Sequence, residues 1–237
     1  MKTTVITPDL IQLRRLGFVN AYLVREPDGF TLIDTTLGNG AARDLIGAAE
    51  TAGGEIRRIA LTHGHGDHAG GLDAIKRQLG DSVEVYLGEP DARFLAGEKV
   101  VEGKMPGFWR DVKTVPDVRL SGGERIGRLQ AIPSPGHTLG HMAFLDTRDG
   151  SLFGGDVFTA YGRISVTNHF YWRFPLAYGA TLDRPEDLRS ARRLRELDPS
   201  RLLAGHGPAT PMPGEAMDAA IARSEAALGE EAAGGRS

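Results

Sequence analysis

The sequence predicts an α/β fold in a single domain, and three observations support this prediction. Short runs of β-forming residues alternate with amphipathic helical segments along the chain, which is typical of α/β folds. The 237 residues suffice for one large domain with a buried core, and the chain has neither an internal repeat nor a long linker. Hydrophobic residues at 41% and charged residues at 25% are ordinary for a globular protein. We therefore predict one domain over residues 1–228 and a disordered tail at 229–237.

In the first half of the chain, strands and helices are predicted to alternate. Pro27-Asp28-Gly29 separates two β-forming runs, which predicts a strand, a turn and a strand. Leu72, Ile75 and Leu79 are spaced as one buried face of a helix. The predicted strands lie at residues 18–24, 30–34, 56–61 and 83–87, and the predicted helices at 39–52, 71–79 and 90–96.

In the second half, strands precede two helices. Asp149-Gly150 predicts a hairpin turn, and Pro185 is placed for the first turn of a helix. Two segments, 97–113 and 160–181, fit no regular element, and long loops of this kind are often functional. The predicted strands lie within 118–134 and at 142–146, 151–153 and 201–204, and the predicted helices at 184–197 and 214–228.

Composition narrows the classes of function. With 28 basic and 31 acidic residues, the formal net charge is −3, which gives no reason to expect a nucleic-acid-binding face. The absence of cysteine excludes disulfides, Cys–zinc sites and thiol nucleophiles, and it favours a cytoplasmic setting. Residues 1–16 do not read as a signal peptide, and no stretch approaches the roughly 20 apolar residues that span a bilayer. We expect a cytoplasmic protein that acts on a small molecule, without a nucleic acid or a membrane as partner.

A histidine cluster at residues 62–71 is the most informative segment. It contains His63, His65, Asp67 and His68, and so three of the seven histidines of the chain. The cluster follows an apolar strand and precedes a helix, a position where sites on α/β folds lie. Imidazole and carboxylate groups are ligands for zinc and related ions, and the intervening glycines relax the backbone so that these groups can face one point. The alternative, a solvated polar loop, is disfavoured because clustered histidines repel one another when protonated.

Three further candidate ligands follow strand-like runs elsewhere. His137 follows Ser134-Pro135-Gly136, Asp156 follows Gly154-Gly155, and His206 follows Gly205. Taken singly, each residue could belong to an ordinary turn. Together they share the order strand, glycine, ligand-type residue, which predicts that they converge at one edge of a sheet.

These motifs, in this order and spacing, resemble those of the metallo-β-lactamase superfamily over residues 18–206. The resemblance implies a four-layer αββα sandwich with two divalent metal ions at the open edge between the sheets. Zinc is the expected metal, with iron and manganese as alternatives, because His/Asp sites accept all three. The implied ligands are His63, His65 and His137 for the first metal, Asp67, His68 and His206 for the second, and Asp156 as the bridge.

Two more residues match recurrent positions of the superfamily. The resemblance implies that Asp34 orients a ligand from behind, which is how such groups fix the tautomer of an imidazole. His141 matches the second histidine of the motif Pro-Gly-His-Thr-x-Gly-His, and we interpret it as support for the site and not as a ligand.

The implied reaction is hydrolysis of an ester, lactone or thioester. A hydroxide that bridges the metals would attack the carbonyl carbon, and Asp67 or water would pass a proton to the leaving group. The absence of cysteine excludes β-lactamases with a cysteine ligand. Asp156 instead resembles the bridging residue of glyoxalase II thioesterases, acyl-homoserine-lactone lactonases and tRNA-maturation nucleases. The chain after His206 is too short for the glutathione-binding region of glyoxalase II, which leaves short glyoxalase-like and lactonase-like members.

Two other functions on the same fold stay open. A mononuclear iron sulfur dioxygenase would keep the histidines but bind one iron, so metal content distinguishes it from a hydrolase. A phosphodiesterase or nuclease is disfavoured by the acidic charge balance and by the lack of a basic arm.

The aromatic segment at 160–181 follows Asp156 closely and should therefore emerge near the metals. Its candidates for the wall of a substrate pocket are Tyr161, Tyr171 and Trp172. The alternative is that these rings pack in the core or in a homodimer interface, where aromatic residues are also enriched.

Overall fold

Two β-sheets form the centre of the computed structural model, which describes residues 1–38 and 40–234, with side chains through residue 230. The larger sheet has seven strands that neighbour one another in chain order. Its strands are β1 (Lys2–Thr7), β2 (Leu10–Arg15), β3 (Val19–Glu26), β4 (Gly29–Ile33), β5 (Ile56–Ala60), β6 (Glu84–Gly88) and β7 (Val118–Leu120). The pairing is antiparallel from β1 to β4 and parallel from β4 to β7.

The smaller sheet has six strands, and a short two-stranded ribbon lies beside it. The order in the sheet is β15, β14, β11, β10, β9, β8, and only the pair of β11 and β14 is parallel. The strands are β8 (Arg125–Ile126), β9 (Leu129–Pro133), β10 (Met142–Asp146), β11 (Ser151–Gly155), β14 (Arg201–Ala204) and β15 (Thr210–Pro211), with β12 (Phe158–Thr159) and β13 (Ser165–Val166) in the ribbon.

Helices cover the outer face of each sheet. The helices are α1 (Ala41–Thr51), α2 (Leu72–Leu79), α3 (Glu89–Leu95), α4 (Leu176–Ala180), α5 (Arg184–Glu196) and α6 (Gly214–Gly234), and Gly80–Ser82 forms a 3-10 turn. Helices α1, α2 and α3 pack on the larger sheet, and α5 and α6 pack on the smaller one. No helix in the described part of the chain combines the length and the apolar character needed to cross a membrane.

The layers follow from the alternation of side chains along the strands. In β3, Leu23 packs against the helices, whereas Val24 faces the opposite sheet. In β11, Leu152 packs against α5 and α6, whereas Phe153 lies in the core between the sheets. Because both faces of these strands are buried, each sheet needs a helical layer on one side and the other sheet on its other side. The predicted four-layer αββα sandwich is confirmed.

Three parts of the structure differ from the predicted elements. The hairpin of β1 and β2 was not predicted, because β1 is largely exposed and shows no alternation. Helix α4 lies inside the aromatic segment that the sequence predicts as a loop. The predicted tail at 229–237 is helical as far as Gly234, since residues 230–233 are the strong helix formers glutamate and alanine. Residues 235–237, and Asn39 at the start of a predicted helix, lie outside the described residues.

The inter-sheet core leads to a prediction about stability. Phe153 is 1% exposed, and its ring contacts that of Tyr22 in the opposite sheet at 5.3 Å between centroids. We expect Phe153→Ala to lower the free energy of unfolding by about 3–5 kcal/mol, because the truncation leaves a cavity between the sheets. Urea denaturation followed by circular dichroism measures the change. Phe170→Ala is the matched control, since Phe170 is 63% exposed and should change the value by less than about 0.5 kcal/mol. Equal effects of the two substitutions would contradict this description of the core.

Candidate metal centre

Seven side chains that could bind metal converge where strands of both sheets end. The turn after β5 carries four of them, and the turns after β9, β11 and β14 carry one each. Their nitrogen and oxygen atoms form three groups, and within each group the ligand atoms lie within 4.8 Å of one another. The groups are His63, His65 and His137; His63, His68 and Asp156; and Asp67, His68 and His206. The structure thus brings together all seven residues that the sequence analysis singled out as ligands.

Asp156 lies in the middle of this cluster. Its Oδ2 is 3.2 Å from Nε2 of His206 and 3.6 Å from Nε2 of His137. Its Oδ1 is 3.5 Å from Nε2 of His68. Asp67 lies on the solvent side, with its side chain 27% exposed and its Oδ2 3.5 Å from Nε2 of His206. The carboxylate of Asp156 therefore faces histidines of all three groups, as a bridging ligand must.

Backbone carbonyls hold two of the imidazoles from outside the cluster. Nδ1 of His206 donates to the carbonyl of Phe18 at 3.1 Å, and Nε2 of His65 donates to that of Pro106 at 3.2 Å. Because a carbonyl only accepts hydrogen bonds, each ring carries its proton on the outer nitrogen. The inner nitrogens then present lone pairs to the cluster. The inner Nδ1 of His65 is 3.1 Å from Nε2 of His137.

Asp34 orients two further imidazoles, one directly and one through Thr62. Nδ1 of His68 donates to Oδ2 of Asp34 at 2.8 Å. The Thr62 hydroxyl donates to the same oxygen at 2.8 Å, and it therefore accepts from Nδ1 of His63 at 3.0 Å. Asp34 has φ of +58°, a left-handed conformation that residues other than glycine seldom adopt. This geometry matches the orienting role that the resemblance implied for Asp34.

His137 is oriented from the aromatic segment. Its Nδ1 is 3.0 Å from the hydroxyl of Thr181, which itself donates to the carbonyl of Ala177 at 2.9 Å. The hydroxyl oxygen therefore accepts from the imidazole, and Nε2 of His137 presents a lone pair to the cluster. Sequence reasoning missed Thr181, because a threonine 44 positions from its partner carries no local signal.

Two buried atoms of the cluster lack a hydrogen-bond partner among the described residues. They are Nε2 of His63 and Oδ1 of Asp156. A buried lone pair without a partner is costly unless a ligand satisfies it. Burial lowers the pKa of His63 and of His137 well below the ordinary value of histidine, which keeps both rings neutral. The neutral imidazole is the form that binds a metal ion.

The cluster of candidate ligands has a negative electrostatic potential. Burial opposes a positive charge on His68, yet the carboxylates of Asp156, Asp67 and Asp34 raise the pKa of His68 well above its ordinary value. Burial also opposes ionisation of Asp156, but electrostatic interactions and hydrogen bonds with the adjacent imidazoles of His206 and His68 hold the pKa of Asp156 well below the usual range. A cluster that stabilises positive charge and surrounds it with neutral imidazoles fits divalent ions that take nitrogen and oxygen ligands, such as zinc, iron and manganese.

His141 lies outside the three ligand groups, and its imidazole contacts the backbone of Asp156. Nε2 of His141 accepts from the backbone N–H of Asp156 at 3.0 Å, and its Nδ1 is 2.8 Å from the hydroxyl of Ser134. Burial lowers the pKa of His141 to about 3, so the ring stays neutral and can accept this bond. The imidazole thus fixes the turn that carries the central carboxylate.

Asp91 joins two of the ligand-bearing loops, and sequence reasoning missed it. This fully buried residue accepts at Oδ2 from the backbone N–H of Gly64 at 2.9 Å and from the hydroxyl of Thr138 at 2.8 Å. Its Oδ1 accepts from the backbone N–H of Gly140 at 2.8 Å. Burial raises the pKa of Asp91 to about 6. The sequence showed only Pro90 and an acidic residue at the start of a helix, a pattern that helix termini explain equally well.

A buried polar network holds the loop that carries His206. The amide nitrogens of Gln12 and Asn20 donate to the carbonyl of Gly207 at 2.9 Å and 2.7 Å. The hydroxyl of Tyr22 donates to the carbonyl of Ala204 at 2.6 Å. The donors come from β2 and β3 and the acceptors from the end of β14, so this network also links the two sheets. No local pattern in the sequence indicated it.

A cavity of about 530 Å³ opens onto the cluster. Its polar lining consists of five residues of the cluster, and the remaining lining is apolar or glycine. The five are His65, Asp67, His137, Asp156 and His206, and the others are Phe18, Leu37, Gly107, Phe108, Phe174, Leu176, Ala177, Gly179 and Ala180.

The prediction of which aromatic residues in segment 160–181 line the substrate pocket is wrong. Tyr161, Tyr171 and Trp172 do not line the cavity; Tyr171 is buried behind it, and Trp172 is 69% exposed. The ring of this segment that faces the cluster is Phe174, whose centroid lies 4.4 Å from that of His206. A turn closed by the hydrogen bond from the N–H of Phe174 to the carbonyl of Tyr171 sends successive rings to different sides. The aromatic content alone did not indicate which ring faces the cluster.

The comparisons with known proteins agree with this geometry. The model of the metallo-beta-lactamase superfamily matches residues 14–206. The chain is 40% identical over 213 residues to the Bacillus subtilis protein YobT, with 87% of this chain and 91% of the relative covered. It is 32% identical over 158 residues to a hydroxyacylglutathione hydrolase of Rhodospirillum rubrum, with 66% of this chain covered. The match spans about half, 54%, of that relative.

Solved structures resemble the whole fold. A metallo-beta-lactamase of Cronobacter sakazakii with a HARLDQ motif has a TM-score of 0.72 at 22% identity, with 100% of this chain and 96% of that chain covered. The protein TTHA1623, solved in a di-iron-bound form, has a TM-score of 0.62 at 28% identity, with 86% of this chain and 95% of that chain covered. The first likeness concerns the fold alone, because its sequence identity is low.

The three ligand groups lead to a prediction about metal content. We expect the wild-type protein to bind about two divalent ions per chain, and His137→Ala and His206→Ala to bind about one each, because the two histidines belong to different groups. Elemental analysis after dialysis measures the content. His169→Ala is the control, since His169 lies outside all three groups. Wild-type metal content in both cluster variants would contradict the assignment.

Asp91 leads to a second prediction. Asp91→Ala leaves three buried donors without their acceptor, and we expect a 10- to 100-fold loss of metal affinity, as is typical when a supporting group is removed. Asp91→Asn keeps the shape and one acceptor oxygen and should lose less. Competition with a fluorescent chelator measures the affinity, and Asp81→Ala, at an exposed carboxylate, is the control. Unchanged affinity in Asp91→Ala would show that the two loops hold their positions without this carboxylate.

Proposed function

The chain belongs to the metallo-beta-lactamase superfamily, and we propose from this premise that it is a binuclear metallohydrolase for an ester, lactone or thioester with an apolar acyl group. The observation that carries the proposal is the apolar cavity that opens directly onto the candidate metal ligands. A reactive carbonyl at the cluster would place the acyl group in this cavity. The relatives named hydroxyacylglutathione hydrolases support hydrolysis as the type of reaction.

The charge of the cavity wall supports an uncharged acyl group. None of the described residues that line the cavity is a lysine or an arginine. A carboxylate that entered the cavity would lose its hydration without gaining a cationic partner, which is unfavourable. The acidic ends of a glutathione moiety therefore have no partner in the cavity wall. Burial of each methylene group, in contrast, contributes about 0.8 kcal/mol.

Seven residues, already named in the three ligand groups, would hold the two ions. Bound divalent ions would supply a water of lowered pKa as nucleophile and would polarise the carbonyl of the substrate. Asp67 is the carboxylate placed to move protons, because it lines the cavity and keeps 27% of its side chain exposed. Its Oδ2 would take the proton of the attacking water and pass it to the leaving oxygen or sulfur.

Two phenyl rings shield this chemistry from solvent. The ring of Phe18 stacks on that of His206 at 5.9 Å, and Phe174 covers the same imidazole at 4.4 Å. Exclusion of water strengthens the electrostatic interactions within the cluster. The rings also fix the orientation of His206, which the carbonyl of Phe18 holds at Nδ1.

Hydrolysis of a matched substrate series tests the proposal. Zinc-loaded protein would be assayed with lactones and thioesters whose straight acyl chains increase in length, and with hydroxyacylglutathione, a phosphodiester and a β-lactam. We expect kcat/KM to rise by up to about fourfold per methylene until the cavity is full. Phe174→Ala should weaken this dependence, because it removes one wall of the cavity.

Control variants and control substrates test the location of the active site and the substrate preference separately. His65→Ala should lose hydrolysis of every substrate, whereas His169→Ala should keep it. Full activity in His65→Ala would rule out the cluster as the active site. Equal rates for short and long acyl chains, or a preference for the charged glutathione thioester, would contradict the apolar acyl pocket. A single bound iron in the active protein would instead support an oxygenase.

A further inference from the structure

Four large apolar side chains are exposed on residues 161–176, the segment that also contributes Phe174 and Leu176 to the cavity wall, and we call them the aromatic rim. They are Tyr161, Phe170, Trp172 and Leu176, which are 39%, 63%, 69% and 69% exposed. Leu176 also lines the cavity, so the rim and the cavity are continuous. Large exposed apolar groups that are concentrated on one segment are a feature of interaction surfaces.

Contacts within residues 161–178 pack the parts of the segment that carries the rim against one another. The ring of Tyr161 lies 6.0 Å from that of Phe174, and the ring of Phe170 lies 6.2 Å from that of Tyr178. Gly162 has φ of +86°, and a Cβ there would lie 3.3 Å from Nη1 of Arg173. The turn at 161–163 therefore packs against the segment that carries Trp172.

Three arginines lie on or against the segment that carries the rim, and none of them has an acidic partner among the described residues. Arg163 lies over the ring of Tyr171 at 4.7 Å, and Arg173 lies over that of Trp172 at 4.8 Å. Arg223 donates to the carbonyl of Ile164 at 2.9 Å. Burial, together with the positive charge of Arg163, lowers the pKa of Arg223, so these charges repel each other.

The lack of acidic groups sets this surface apart. Residues 157–182 contain no aspartate or glutamate. Within the described part of the chain, no carboxylate lies within 4.0 Å of the charged groups of Arg163, Arg173 or Arg223, whereas the exposed arginines of α5 are paired. In a chain of net charge −3, the rim and the three arginines thus form a local surface that combines positive charge with exposed rings. It is complementary to an anionic, partly apolar partner.

We propose that the aromatic rim docks the protein on the surface of an anionic lipid bilayer. Tryptophan and tyrosine favour the membrane–water interface, and arginine pairs with lipid phosphates. A second copy of the chain fits less well, because a two-fold contact through the rim would bring two sets of three arginines together. The cavity opens beside Leu176, at the place where an acyl chain would leave the bilayer. The contact is peripheral and goes beyond the proposed reaction.

Vesicle binding by the full chain tests this inference. Trp109→Phe leaves Trp172 as the single tryptophan, so that its fluorescence reports the environment of the rim. We expect a blue shift and co-sedimentation with vesicles that contain phosphatidylglycerol, and neither with phosphatidylcholine alone. Added salt should weaken the binding. Arg163→Gln and Arg173→Gln should each weaken it about fivefold.

Matched variants keep the test specific. In the wild-type background, Trp172→Ala combined with Phe170→Ala should abolish binding, whereas Met212→Ala, at a side chain 86% exposed elsewhere, should not change it. Arg192→Gln on α5 is the charge control. We call the double variant Trp172→Ala/Phe170→Ala the rim variant. Equal vesicle binding by the rim variant and the wild type would overturn the inference. A wild-type dimer in solution that becomes a monomer in the rim variant would overturn it as well. Without vesicles, the rim variant and the wild type should hydrolyse a short soluble ester at the same rate. A failure of vesicle binding can therefore be distinguished from a failure of the proposed reaction.

Discussion

The rest of the structure depends on one constraint: five imidazole nitrogens and two carboxylates must share a buried space at the edge of two sheets. Such a set is costly to bury, because lone pairs lose water and two atoms, Nε2 of His63 and Oδ1 of Asp156, gain no hydrogen-bond partner from the residues that the structure describes. A cation in their midst would offset that cost. The strands end together at this edge, and every candidate ligand lies on a turn that follows a strand, so the fold itself determines the distances between these side chains.

The orientation of the imidazoles comes from groups distributed over the whole chain. The acceptors on the outer nitrogens include the carbonyls of Phe18 and Pro106, the carboxylate of Asp34 and the hydroxyl of Thr181. These acceptors lie in or next to four different segments of the sandwich. A partly folded chain would therefore contain the histidines but would lack some of the acceptors that fix which ring nitrogen carries the proton. Asp91 adds to this by fixing two ligand loops through backbone N–H groups. Metal binding and folding are therefore expected to be coupled.

The sequence predicted which seven side chains converge, but it did not predict the groups that surround them, for a physical reason. A ligand in a turn after a strand leaves a local pattern, and the cluster at His63 to His68 is such a pattern. Asp91, Thr181 and Gln12 act through contacts across the fold, and no local pattern records those contacts. Tyr171 and Phe174 are both aromatic residues of one segment, and a single turn decides which ring reaches His206. Composition predicts that rings are present near the site, but tertiary packing decides which way each ring points.

The segment from 160 to 181 connects the chemistry of the site to its surroundings. It provides Phe174 and Ala177 to the cavity, and through Thr181 it orients His137. The same segment also exposes Trp172 beside Arg173. A change in this segment can therefore alter the shape of the cavity, or the exposed surface beside it, while the candidate ligands on the strand ends stay in place. Because an apolar acyl substrate partitions into a bilayer, a rim that holds the cavity at that surface would also raise the substrate concentration at the site.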